Sequence, residues 1–241
     1  MNGTQVWREH ADLLARAMRI GRQLVEQGKG NLYQIGHTFF EAAFGAYLAR
    51  PEGGEWRPQL DEALSLFVRA VERDDCRLWP EYPFNQAHLH LETYLGQWWA
   101  GQEAEAFQLD RSINLNVEGL FDGQAHPQSS YAAMPPGYLL RGDAEHLATF
   151  WQLMEEQGGL ERLPAELALW RRWSVAFLEG QRTPDAFWAA YAADTRRRKS
   201  PTDRPARFYL AAAKIALEQF AVAAPPADVL RRLAVEPWRK G

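Results

Sequence analysis

The chain has 241 residues, a single cysteine, and 31 acidic against 27 basic side chains, for a net charge of −4. Its hydrophobic fraction of 46% and charged fraction of 24% are those of an ordinary globular protein, which argues against disorder. One thiol, Cys76, excludes an internal disulfide, and no stretch approaches the ~18 uninterrupted apolar residues of a membrane span.

Helical periodicity runs through nearly the whole sequence. Trp7, Ala11, Leu14, Met18 and Val25 fall along one side of a helix predicted to reach Gln27, where Gly28 and Gly30 stop it. A second helix is expected over Leu32 to Leu48, with Phe39, Phe40, Phe44 and Tyr47 inward. Pro51 and Gly53-Gly54 break the chain before a third, Gln59 to Glu72. A fourth is expected over Phe84 to Ala100 and a fifth over Ala104 to Leu120.

Residues 122–136 hold Gly123, Pro127, Ser129, Ser130, Pro135 and Pro136 and read as a long connection. The chain is then one helical domain, or two subdomains, 1–121 and 137–241, joined there. Asp143 caps a helix over Glu145 to Gln157, and Pro164 opens another that reaches Gly180. Thr183-Pro184-Asp185 starts a further one, running to Arg198. Two more follow near Ala206 to Ala221 and Ala227 to Leu233. No hairpin signal accompanies them, so the expected class is all-α: antiparallel helical hairpins forming a bundle or a short degenerate helical-repeat solenoid.

Few side chains are spaced for chemistry. His88 and Glu92 share a helix face, and so do His37 and Glu41, so two facing helices could assemble a four-ligand cluster. Helical di-metal sites use Glu-x-x-His pairs, however, and these are His-x-x-x-Glu; the expectation is no metal and no cofactor. Gly158-Gly159 lacks the lysine of a phosphate loop, and there is no Gly-x-Ser-x-Gly elbow. Cys76, between Asp75 and Arg77 with Asp74 nearby, is not set up as a thiolate. Asp74-Asp75 lacks the further aspartate of a magnesium motif and reads as a surface loop. The basic run Arg196-Arg197-Arg198-Lys199 suits a helix C-terminus, and an acidic chain is not expected to bind nucleic acid.

Charge is unevenly divided. Residues 1–122 hold 18 acidic and 11 basic side chains, while residues 123–241 hold 13 and 16. An acidic face on the first half would attract a basic protein partner, with Glu72, Asp74, Asp75 and Glu81 as one candidate patch. Adjacent tryptophans cannot both face one core, so Trp98 or Trp99, beside Glu103 and Glu105, is a candidate partner anchor. The N-terminus carries Arg8, Glu9, His10 and Asp12 where a signal peptide has an apolar core, so the expected compartment is the cytoplasm, with no membrane association.

The succession of long helices, the segment Phe84-Asn85-Gln86-Ala87-His88-Leu89-His90-Leu91-Glu92-Thr93-Tyr94, and the tryptophan-rich stretch from Phe150-Trp151 through Trp170 to Trp188 together resemble the all-helical immunity proteins of bacterial polymorphic toxin systems. The resemblance covers size, helicity and acidity over the whole chain and transfers no functional residue. It implies a non-catalytic protein that neutralises a cognate toxin by binding it. The alternatives are a helical-repeat scaffold for a peptide or protein, and a helical metal-dependent enzyme built on His37, Glu41, His88 and Glu92.

Overall fold

The computed structural model describes residues 3–76, 82–113, 128–156, 160, 163–195 and 200–238. They form eleven α-helices and no strand. In chain order these are α1 (Gly3–Glu26), α2 (Leu32–Ala49), α3 (Trp56–Glu72), α4 (Tyr82–Trp99), α5 (Ala106–Ile113), α6 (Met134–Arg141), α7 (Ala144–Glu156), α8 (Ala165–Leu178), α9 (Pro184–Thr195), α10 (Ala206–Gln219) and α11 (Pro226–Ala234). Among the described residues, no helix is long and apolar enough to cross a membrane.

Two helices are buried nearly all round and organise the rest. α2 buries most of its length, from Leu32 to Leu48, and α1 and α3 pack against it. Its start is fixed by Asn31, whose side-chain oxygen accepts the Gln34 N–H at 2.9 Å. Close packing of α2 on α3 depends on Gly36, where a Cβ would sit 2.8 Å from the Phe67 ring. α3 runs antiparallel to α2: Trp56 at its beginning meets Tyr47 near the end of α2, ring centroids 5.2 Å apart. α4 reverses again and brings Trp99 face to face with Trp56, 4.8 Å apart and 11° from parallel.

The second organiser is α10, buried from Ala206 to Ala216 apart from Arg207, and flanked by α4, α6 and α11. Its small alanines let those neighbours approach closely. The first and last helices are tied together: Trp7, fully buried, donates its indole N–H to the Ala234 carbonyl at 2.9 Å. One continuous apolar core runs from Trp7 to Val235.

The expected connection over 122–136 is corrected in its second part. Residues 128–133 form a 3-10 turn, and Met134, Pro135 and Pro136 open α6, every residue of which is buried except Arg141. Prolines at the first positions of a helix cost nothing, because those N–H groups have no intrahelical partner. They therefore start a core helix here. Residues 122–127, and the predicted extension of α5 from 114 to 120, lie outside the described residues.

Candidate functional site

Where α2, α4 and α10 meet, the interior is polar. Glu92, one turn beyond His88 on α4, has no solvent exposure. Its two carboxylate oxygens lie 3.0 and 3.1 Å from His37 Nδ1 on α2. Arg207, in the first turn of α10, donates from Nη1 to the same carboxylate at 3.2 Å. Glu41, one turn along α2 from His37, accepts the Ala206 backbone N–H at 2.7 Å and so caps α10 from a neighbouring helix. His37 Nε2 stands 3.9 Å from Glu41 and its side chain keeps a third of its surface in solvent.

Three of the four residues that spacing nominated for a metal cluster, His37, Glu41 and Glu92, are thus brought together. The arrangement is an ion-pair network, in which Arg207 is paired with Glu92, and among the described residues no group of three or more His, Cys, Asp or Glu could hold a metal ion. His88 sits beside the network without joining it; its Nε2 is buried and has no hydrogen-bond partner. Arg207 was not among the residues that spacing nominated. The available signal was its place: a cation near the start of a stretch of alanines and aromatics destined for the core.

The electrostatics follow from this geometry. Burial pushes the Glu92 carboxyl up, but His37 and then Arg207 outweigh it and hold the group below its usual range, as a carboxylate. Burial also disfavours the His37 cation; Glu92, by charge and hydrogen bond, and then Glu41 raise it above an ordinary imidazole. Burial dominates at Glu41, whose carboxyl is raised. It dominates at His88 too, and with Arg207 and His37 nearby that imidazole stays neutral. An imidazole oriented at Nδ1 by a buried carboxylate, with a third of its side-chain surface in solvent, is a geometry that can accept a proton.

The partner-binding candidates divide sharply. Asp75 is not part of a surface loop: it is buried, accepts the Leu32 N–H at 2.6 Å at the start of α2, and is paired with Arg73 at 3.2 Å. Asp74 turns the chain there with φ at +52°, and Glu72 is exposed. Glu81 lies outside the described residues, as do residues 196–199 of the basic run. Trp99 is packed among Phe40, Phe44, Tyr47 and Trp56, and Trp98 lies under the Lys214 ammonium, 5.2 Å from its ring. Neither tryptophan is an exposed anchor. The exposed aromatic beside Glu103 and Glu105 is Phe107, on the first turn of α5, with 51% of its surface in solvent. Glu103 is exposed, and Glu105 is exposed and bonded to Gln97.

The imbalance of charge between the halves also changes meaning. Glu92 of the first half pairs with Arg207 of the second, Asp110 with Arg141 at 3.0 Å, and Glu41 with the start of α10. Part of the acidic excess is therefore paired across the two halves of the sequence. Comparison with protein-family models, with curated proteins and with solved structures returns no match.

Proposed function

We propose that this chain is a non-catalytic protein-binding module, of the kind that neutralises a cognate toxin by direct contact, and that α5 and the connection before it carry the contact. The supporting observation is Phe107. A phenylalanine more than half exposed, preceded by Glu103 and Glu105, has the form of an interface anchor with a charged rim. The partner suited to it is a basic protein. Exposed Glu72, at the far end of α3 from Trp56 and so roughly 25 Å from the Trp99 end of the bundle, would act only at long range.

The test is co-expression with a toxin domain encoded beside this gene, scored by growth, followed by association kinetics on the purified pair. The wild-type chain restores growth. Phe107→Ala weakens the complex by tenfold or more, on the order expected of a buried aromatic anchor. Glu103→Lys with Glu105→Lys slows association at low salt much more than at 1 M, where the Debye length is about 3 Å. Failure to rescue, or wild-type binding by Phe107→Ala, removes this reading.

A second reading rests on the His37–Glu92 pair, which orients an imidazole for acid–base chemistry in a helical enzyme. His37→Asn separates the two: a binding module keeps its rescue, whereas an enzyme loses activity with its fold intact.

A further inference from the structure

α1 carries two apolar seams, and the fold uses one of them. Trp7, Ala11, Leu14, Met18, Gly21 and Val25 are spaced alternately by four and three residues and lie along α2. The Trp7 ring meets Phe44 edge-on at 5.4 Å, and a Cβ on Gly21 would sit 2.9 Å from Ile35. A second seam with the same spacing lies about 100° round the helix, one residue earlier: Val6, His10, Leu13, Ala17, Ile20 and Leu24. Its ends are half-buried and its centre is open. Leu13 and Ile20 are 65% and 60% exposed, more than any other large hydrophobic side chain among the described residues, and Ala17 between them is exposed too.

Single apolar residues on a surface mean little, but these three are contiguous and keep the alternating spacing into which a further helix packs. The charges beside the seam select which helix. Glu9, Arg16 and Gln23, all exposed, border it on the solvent side. In an antiparallel second copy of α1, Glu9 comes beside the partner's Arg16 and Arg16 beside the partner's Glu9, two equivalent pairs about a two-fold axis. The same register sets Leu13 against the partner's His10 and Val6 against the partner's Ala17, so a larger side chain meets a smaller or flatter one each time. Sliding the helices by one heptad, to bring Val6 onto the partner's Leu24, would set Arg16 against Arg16. The charges therefore favour the first register.

We infer that α1 is the interface of a symmetric antiparallel dimer, with a second copy of this chain seated on the Leu13–Ala17–Ile20 seam. The paired stretch, residues 3–20, is about 27 Å long. A strip of that length and one helix wide is smaller than the interface of a permanent dimer, so the association is transient, with a Kd of about 10–100 μM.

Sedimentation equilibrium of the purified full chain, from about 5 to 500 μM, brackets that range. It needs no other protein and no residue of α5, so its outcome is independent of the docking reading. The wild-type chain is expected to pass from monomer to dimer. Leu13→Lys, at a side chain already in solvent, is expected to leave the Tm of the monomer unchanged and to weaken association about tenfold or more. Glu9→Arg and Arg16→Glu each weaken it on their own, by setting like charges side by side. Mixing those two variants is expected to restore it, because the mixed pair again sets opposite charges together. A chain that stays monomeric throughout, and so leaves the seam to a different protein, overturns the assignment. So does association unchanged by Leu13→Lys, or a mixture no tighter than its two components.

Discussion

Replacing Arg207 by methionine removes a charge from the centre of the α2–α4–α10 junction while keeping an apolar stem of similar reach. Arg207 Nη1 lies 3.2 Å from a Glu92 oxygen, and the two side chains are 16% and 0% exposed. At that separation and an effective dielectric near 20, the attraction is about 5 kcal/mol. Removing one member of a buried pair costs about 3–5 kcal/mol, because the other is left charged and unsolvated. His37 remains hydrogen-bonded to Glu92 when Arg207 is removed, so the lower end of that range is expected. The cost is also expected to depend on pH. Glu92 is held below its ordinary value of 4.5, so its contribution is present above that value and lost as pH falls through its folded value. His37 is raised, so its contribution is full below 6.5 and lost as pH rises through its folded value. The wild-type junction is therefore strongest between those two values, and the penalty of Arg207→Met shrinks in acid, where Glu92 takes a proton. Urea unfolding followed by circular dichroism at pH 4, 6 and 8 measures this. A penalty below about 1 kcal/mol, or one that ignores pH, would show that the pair is solvated. The double variant Glu92→Met with Arg207→Met should recover most of the loss.

Three further outcomes are expected. Gly137→Ala places a Cβ 2.2 Å from Ile113 Cγ2 and should cost about 1–3 kcal/mol by thermal unfolding, largely relieved in combination with Ile113→Ala; wild-type stability would mean α5 and α6 do not meet there. Asp75→Ala removes the carboxylate that accepts the Leu32 N–H and should cost about 0.5–2 kcal/mol, a drop of a few degrees in Tm, whereas a surface carboxylate would be neutral. Cys76 is buried and its thiol is pushed up to about 12 by burial, then by Asp74 and Asp75. A thiol reagent should therefore label the native protein far more slowly than the unfolded one, and equal rates would refute the burial.

Helix periodicity was legible because apolar residues recur every three or four positions, and it placed α2, α7, α9 and α10 close to their observed starts. α6 was not legible. Proline and glycine usually punctuate a chain, and only tertiary packing reveals that Pro135, Pro136 and Gly137 are the buried start of a helix. At the candidate site, the four-residue spacing of His37 with Glu41 and of His88 with Glu92 correctly put polar groups on the inner faces of α2 and α4. It could not show that an arginine 115 positions beyond Glu92 would complete them, because nothing local marks that pairing. The same limit applies to the aromatic residues. Trp98 and Trp99 stand out by composition, yet both find partners in the core, and the less conspicuous Phe107 is left outside.

The bond from Trp7 to the Ala234 carbonyl spans 227 positions of sequence. At translation rates of about 5–20 residues per second, some 10–45 s separate the synthesis of its two ends. For that interval a fully buried tryptophan lacks its final partner, although α1 can already shelter against α2 and, through Arg22 and Glu62, against α3. The core therefore closes late, as a purse does when its string is drawn. Any lesion in α11 is expected to be felt first at the opposite end of the sequence, as exposure of Trp7.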